Sequence, residues 1–567
     1  MQRILRPHST RPFLRPRVLL RTLATMTAET AASPATATAT AAEGASTKPK
    51  LHGRAFYESI GSPKFIIAPM VDQSEFAWRM LSRSFLSAEE QSNLLAYTPM
   101  FHARLFSQED KYRKSHFQST RTGSDEPWLD GNPKIDRPLF VQFCANDPDA
   151  LLAAAKQVAP YCDAVDLNLG CPQGIARKGH YGAFLQEDQE LIFRLINILH
   201  KELSIPVTAK IRMLETKEKT LAYAQNVLKA GASILTVHGR LREQKGHLTG
   251  VADWNMIRFL RDSLPPETVI FANGNILQPD DLEACLEATG ADGIMSAEGN
   301  LSDPALFAKA PAVGEEGREY WRGKDGKGGW RVDALMRRYL DILHKYARGQ
   351  EPPERRPLFV VGDDTAWLEP KSDAEEAESE EPAKKRRKKD EAPKRDEPSP
   401  NLTAVQPHLF HLLRHFVTKH TDVRDMLARS RKDGFDGYEK VLAAVERKVA
   451  EGMLEYEKTD GKQFAEEIAN LKPVGDVPEE QSSVGAMRRC KRPWWVAQPI
   501  LRPLPAEAMA KGAIKPSKKD LKDGTAAAKA EEGKKSEEVK TEEAKKSEEV
   551  KTEEVKKTDE TKETTST

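Results

Sequence analysis

Residues 207–240 read VTAKIRMLETKEKTLAYAQNVLKAGASILTVHGR. A short apolar strand, Val207–Ile211, gives way to a helical stretch, Thr220–Ala230, and the chain returns as a second apolar strand, Ile234–Val237. The strands end in Lys210 with Arg212 and in His238-Gly239-Arg240, polar groups that packing alone would not select. The same alternation extends in both directions. Phe65–Ala68, Leu94–Thr98, Leu139–Cys144 and Ala164–Leu169 precede this unit; Val269–Ala272 and Gly293–Ser296 follow it. Helical patterns fall between most of them, as at Asp149–Val158, Gln189–Leu203 and Asp280–Thr289, with Pro148 and Pro279 near the first turns, where a missing N–H costs little. Eight β units alternating with helices between residues 63 and 310 predict an α/β fold, the (β/α)₈ TIM barrel. An open doubly wound sheet is the alternative, but no Gly-x-Gly-x-x-Gly follows the first strand.

The 567-residue chain is 39% hydrophobic and 31% charged, and the charge is concentrated outside the barrel. With a net charge of +1, any attraction to nucleic acid or anionic membrane must be local. Five cysteines without a CxxC pair argue against a disulfide scaffold or zinc finger, so no metal site is expected, and no apolar run reaches the roughly 20 residues of a membrane span. Residues 1–50 begin Arg-rich and acid-free. Residues 1–25 have the composition of a mitochondrial presequence or of an ordinary basic extension, and Met26 offers an internal start. Residues 351–400 form a Pro/Glu/Lys-rich insert expected to be disordered. Its block Lys384-Lys385-Arg386-Arg387-Lys388-Lys389 is a nuclear localisation signal, a nucleic-acid patch or a solvated charge run. The tail, 511–567, repeats KKSEEVKTEE and carries no aromatic residue, as a disordered segment does.

In a (β/α)₈ barrel chemistry sits on the loops after the strands. Gln142, Lys210, His238, Asn273-Gly274-Asn275 and Ala297-Glu298-Gly299 all fall at or near strand ends. Lys210, projecting into the barrel mouth, needs an anionic partner, either a ligand or a barrel carboxylate. Loops after strands seven and eight are the usual phosphate site of this fold, and their glycines would let backbone N–H groups approach it. A phosphorylated ligand with an electron-rich ring near Lys210 and His238 suggests FMN, unless His238 is a satisfied core histidine. Cys171, between Gly170 and Pro172, lies in a loop at this face; an ordinary thiol, with a pKa of about 8.5, keeps its proton at neutral pH and can act as a general acid.

Pro69-Met70, Asn168-Leu169-Gly170-Cys171-Pro172, Ala209-Lys210-Ile211-Arg212, His238-Gly239-Arg240 and Asn273-Gly274-Asn275 resemble the motifs of the tRNA-dihydrouridine synthases. Gln142 to Pro148 and Met295 to Leu301 most resemble the eukaryotic branch acting on uridines 16 and 17. The likeness is strong over residues 60–310 and weaker over His408 to Arg424, which look like the family's RNA-binding helices. It implies an FMN-binding barrel (51–322), a helical tRNA-binding domain (323–350 and 401–470) and a basic-aromatic extension (471–510). Pro69, Met70 and Val71 would run along the flavin, Gln142 and Lys210 would contact its polar edge with His238 close by, and Asn273, Gly274, Asn275, Ala297, Glu298 and Gly299 would hold the phosphate end. Where the family often has Ala-Arg-Gly this chain has Glu298, a carboxylate that cannot clamp phosphate, which leaves backbone N–H groups for that task. The resemblance further implies NADPH or NADH as reductant and Cys171 as proton donor to uracil C5.

Holding tRNA would fall to Arg240, Arg242 and Lys245 on the strand-six loop and to Arg414 and Arg424 in the helices. The run Arg488 to Trp495 interleaves cations with aromatics, as single-strand RNA grips do, or else packs its two tryptophans on the domain surface. A monomer in nucleus or cytoplasm is expected, with no membrane association. The competing readings are an FMN-dependent pyrimidine or dihydroorotate dehydrogenase and a catalytically inactive nuclear RNA-binding protein.

Overall fold

The structure, a computed structural model, describes residues 50–121, 123–369, 399–471, 482, 484, 485, 488 and 492–499. The presequence candidate, the basic block at 384–389 and the repetitive tail lie outside the described residues. Eight parallel strands close into a barrel: β1 (Phe65–Ile67), β2 (Leu94–Tyr97), β3 (Leu139–Cys144), β4 (Ala164–Leu169), β5 (Val207–Arg212), β6 (Ile234–His238), β7 (Val269–Asn273) and β8 (Gly293–Ser296). Ile66 pairs with Leu95 of β2 on one side and Met295 of β8 on the other, and Ala96 pairs with Leu139 to close the ring. A two-residue strand, Phe101–His102, lies beside the end of β3.

The strands are legible because a barrel strand is covered on both faces. Every residue of β3, LFVQFC, is buried, so it reads as an apolar run interrupted only by Gln142. The crossover helices are capped by their own sequence. Asp147 accepts from Asp149 N and Ala150 N ahead of Pro148–Val158, Thr216 caps Lys217–Lys229, and Asp253 caps Trp254–Ser263. The long connection from β2 to β3 is pinned by Arg79, fully buried, which donates to Asp136 Oδ1 at 3.0 Å and to Asp130 Oδ1 at 2.8 Å.

After the barrel an antiparallel hairpin pairs Tyr320–Arg322 with Gly328–Trp330, so the expected boundary at 322/323 falls within the hairpin, at the end of its first strand. Helices Val332–Ile342, Val405–Leu412, Arg414–Lys419, Thr421–Arg429 and Phe435–Lys458 follow. They share one core with the barrel. The His408 ring stacks on Trp78 at 4.0 Å between centroids, and its Nε2 lies 3.0 Å from Glu75 Oε2, which also anchors the Tyr339 hydroxyl through Oε1 at 3.3 Å.

One stretch differs from expectation. Residues 351–369, assigned to the insert, pack against the helices: Leu358 and Phe359 are buried, Arg331 donates to Phe359 O at 2.6 Å, and Arg355 pairs with Glu439 and Asp341. For Trp494 and Trp495 the structure shows the second of the two readings, packing on the domain. Trp495 is buried against Trp321 and Tyr456, and Trp494 fits over Gly452, where a Cβ would stand 2.5 Å from its ring. Among the described residues no helix is long and apolar enough to cross a membrane.

Candidate active site

Side chains two apart on a strand share a face, and on β3 to β7 the face carrying Gln142, Asp166, Asn168, Thr208, Lys210, His238 and Asn273 is polar. A barrel interior is ordinarily filled by branched apolar residues, so this polar column, running from mid-strand to the strands' C-terminal ends, requires partners for every group. Lys210 Nζ donates to Asn273 Oδ1 at 2.9 Å, and Asn273 Nδ2 donates to Met295 O at 2.8 Å. Asn168 Nδ2 donates to Gln142 Oε1 at 2.8 Å, and Gln142 Nε2 donates to Asp166 Oδ2 at 2.8 Å. Thr208 Oγ1 donates to Asp166 Oδ1 at 2.6 Å.

Burial shapes the charges. It brings Lys210 down to about 7, aided by Arg212 and opposed by Asp166. It pushes Asp166 up to about 6 against the hydrogen bonds of Thr208 and Gln142. His238 is held well below the ordinary imidazole range by burial and by Lys210, Arg212 and Arg240. Arg240 Nη1 lies 3.0 Å from His238 Nε2, and since a guanidinium only donates, that nitrogen accepts and the imidazole is neutral with its proton on Nδ1.

Cys171 is half-buried at the head of the β4 loop. Its N–H and that of Gly170 both donate to Asn168 Oδ1, at 2.9 and 3.1 Å. Its carbonyl accepts from Ala183 N at 3.1 Å. Gly182, at φ +65, closes that contact, because a Cβ there would sit 2.8 Å from Cys171 O. Arg212 ties the loop to its neighbour, donating to Gly170 O at 2.7 Å and to Leu241 O at 2.8 Å. Cys144 packs nearby but is buried, and its thiol is pushed up to about 12.

Other expected site residues fall as follows. Pro69, Met70 and Val71 form the β1 loop, with Met70 buried and its N–H donated to Ser74 Oγ at 3.0 Å, and Val71 56% exposed. Gly274 (φ +116) serves packing, since a Cβ would stand 2.6 Å from that of Ala252 and 3.1 Å from His238 Cδ2. Asn275 binds the Ala252 backbone through N–H and carbonyl alike. Ala297, Glu298 and Gly299 open the short helix Glu298–Ser302.

Among the RNA candidates Arg240 is corrected. It is 9% exposed, and donates to Thr249 O, Gly250 O and Asn275 Oδ1, so it builds the loop and is no surface cation. Arg242 is paired with Glu187 and Glu243, and Lys245 donates to Pro172 O at 2.7 Å. Arg414 and Arg424 are exposed, the latter 3.3 Å from Asp425. Asp166 and Thr208 join the site beyond the residues expected from sequence, although their period-2 spacing with Asn168 and Lys210 inside apolar strands marks them.

A closed parallel barrel with a buried lysine, paired amides and a thiol gathered at its mouth defines a class of ligand-binding barrel enzymes. Residues 66–347 match the family model described as Dihydrouridine synthase (Dus). The chain is 43% identical over 457 residues to a tRNA-dihydrouridine(16/17) synthase [NAD(P)(+)] of Saccharomyces cerevisiae, covering 80% of this chain and 87% of that one. It is 42% identical to one of Schizosaccharomyces pombe, over 80% and 92%. It is 35% identical to a tRNA-dihydrouridine(16/17) synthase [NAD(P)(+)]-like protein of Rattus norvegicus, over 84% and 82%. The chain belongs to the dihydrouridine synthase family.

Proposed function

We propose that this protein reduces uridine to 5,6-dihydrouridine in the D-loop of tRNA, at positions 16 and 17, using FMN and NADPH or NADH. The observation that carries the reading is Cys171 held at the mouth of a barrel whose wall presents Lys210 and Asn168, the latter backed by Gln142. These residues fit a flavin by their donor chemistry. Asn168 Nδ2 uses one of its two protons within the wall and Lys210 Nζ uses one toward Asn273, leaving N–H groups for a ring with carbonyl and imine acceptors, while Gln142 is fully buried behind Asn168. When bound, FMN supplies the hydride that uracil C6 receives, after its own reduction by the nicotinamide. Met70 would lie along the ring, Lys210 would steady negative charge on it, and the backbone at Asn273 to Asn275 and Ala297 to Gly299 would take the phosphate end.

Cys171 gives its proton to C5 as C6 is reduced. A base stacked in folded tRNA must first be extruded into the mouth. Beside the Cys171 loop lies an open hollow whose cations Arg177, Arg242 and Lys245 are matched by Glu187, Asp188, Glu190 and Glu243, so it offers flanking RNA no net positive surface. Denaturing the purified protein should release one FMN per chain, and tRNA from a strain lacking the gene should lose dihydrouridine at positions 16 and 17. Absence of flavin after reconstitution, or unchanged tRNA, would overturn the reading.

Affinity would come from phosphates on the helical region. Arg414→Glu with Arg424→Glu should weaken tRNA binding and lower the log–log salt slope by roughly 0.7–0.9 for each phosphate that is no longer neutralised. Filter binding between low and moderate salt measures it, and a wild-type slope places the RNA elsewhere. We further propose a monomer in nucleus and/or cytoplasm, with mitochondrial targeting by residues 1–25 as the alternative, to be checked by imaging a tagged full-length chain and by sedimentation.

A further inference from the structure

The hydrogen bonds around Cys171 form a directed chain. The N–H groups of Gly170 and Cys171 point to Asn168 Oδ1, Asn168 Nδ2 to Gln142 Oε1, and Gln142 Nε2 to Asp166 Oδ2, with no link longer than 3.1 Å. An amide can be turned either way, so neither Asn168 nor Gln142 fixes its own orientation. The two ends decide it. Backbone N–H groups only donate, and an ionised carboxylate only accepts, so the whole chain has one sense, and bonds aligned head to tail polarise one another. Asp166 is fully buried in the middle of β4, two residues before Asn168, and its other oxygen is held by Thr208. No atom of it is needed to pack the barrel apolarly, and a buried carboxylate is expensive without such work.

We propose that Asp166 is a positioning residue: through Gln142 and Asn168 it fixes the Gly170–Cys171 backbone, and so sets where the Cys171 thiol stands. The inference rests on Cys171 as the proton donor. Removing the acceptor leaves Gln142 free to turn its carbonyl inward. Asn168 then faces an amide donor with its own donor, and rotating to accept it releases the two backbone N–H groups. The Cys171 loop loosens, although Ala183 N still holds its carbonyl.

Two substitutions at Asp166 differ in whether they keep this sense. Asp166→Asn can keep its carbonyl toward Gln142 and donate its amide to the Thr208 hydroxyl, which also accepts, so the sense of the chain survives. Asp166→Leu has a similar shape and no acceptor. Neither change touches the loop itself.

The test is alkylation of Cys171 by iodoacetamide in the purified full-length protein, read by mass spectrometry of the peptide carrying it, with thermal unfolding in parallel. Asp166→Leu should be alkylated at least fivefold faster than wild type, and Asp166→Asn within twofold of it. Should Asp166→Leu fail to fold, Gln142→Met cuts the next link and should give the same acceleration. An alkylation rate unchanged in Asp166→Leu (or in Gln142→Met, where that stands in) overturns the proposal. So does an Asp166→Asn variant as fast as Asp166→Leu, since charge rather than direction would then be responsible. Because the readout is a thiol reaction, its failure leaves the proposed activity untouched, whereas a protein without flavin sinks that activity and says nothing against the chain of bonds.

Discussion

Cys171→Ala should keep the fold, the flavin and its reduction by NADPH, and lose dihydrouridine formation by roughly 10²–10⁴-fold, the usual worth of a positioned acid. Hydride arriving at C6 leaves an enolate-like uracil that must gain a proton at C5, and water is poorly placed in a mouth filled by an extruded base. In the proposed reaction the thiol is held for that task. Asn168 takes its backbone N–H, Ala183 its carbonyl, and Arg212 the carbonyl of the preceding glycine. Nothing in this set depends on the sulfur, so its loss should leave the loop in place. Cys171→Ser should lose nearly as much, because a hydroxyl is a far weaker acid. The measurement is single-turnover oxidation of pre-reduced enzyme by unmodified tRNA, followed at the flavin absorbance and by dihydrouridine content. Wild-type rates in Cys171→Ala would assign the proton to another group.

The barrel is readable because parallel strands buried on both faces are apolar runs, and because its helices carry their caps in sequence: Asp147, Thr216 and Asp253 each precede a helix. Much of the mouth is readable for the complementary reason, that Lys210 or Asn273 inside such a run has no packing rationale. What escapes depends on partners remote in sequence. Arg240 looks like any loop cation until the carbonyls of Thr249 and Gly250 and the Asn275 side chain are brought to it. Gly274 looks like a ligand-facing glycine, but its missing side chain makes room for Ala252 and His238. The hairpin Tyr320–Trp330 is two three-residue strands around a glycine-rich turn, too short for a periodic signal. Residues 351–369 have a disordered composition, yet Leu358 and Phe359 are enough to anchor them once Arg331 and Glu439 offer partners.

The second large effect concerns Lys210 and has a sign that pH exposes. In the folded protein without ligand its ammonium titrates at about 7, against an ordinary 10.5, chiefly because it is buried. Between those values the unfolded chain holds a proton that the folded chain lacks, so the ligand-free protein should gain stability as pH rises from 7 toward 10.5. An anionic ligand beside Lys210 restores its proton, so binding must take one up over the same range. FMN affinity should therefore fall as pH rises above 7, by up to about tenfold per unit. Of its neighbours, Asp166 titrates near 6 and His238 far below the ordinary imidazole range, so neither of these two adds a slope above 7. Lys210→Met should bind FMN at least tenfold more weakly than wild type at pH 7 and show neither slope. Fluorescence titration of the ligand-free protein with FMN from pH 7 to 9, with thermal unfolding in the same buffers, measures both. Affinity that is flat in the wild type, or sloped alike in Lys210→Met, would mean that Lys210 does not meet the flavin as a cation and that its bond to Asn273 is its whole role.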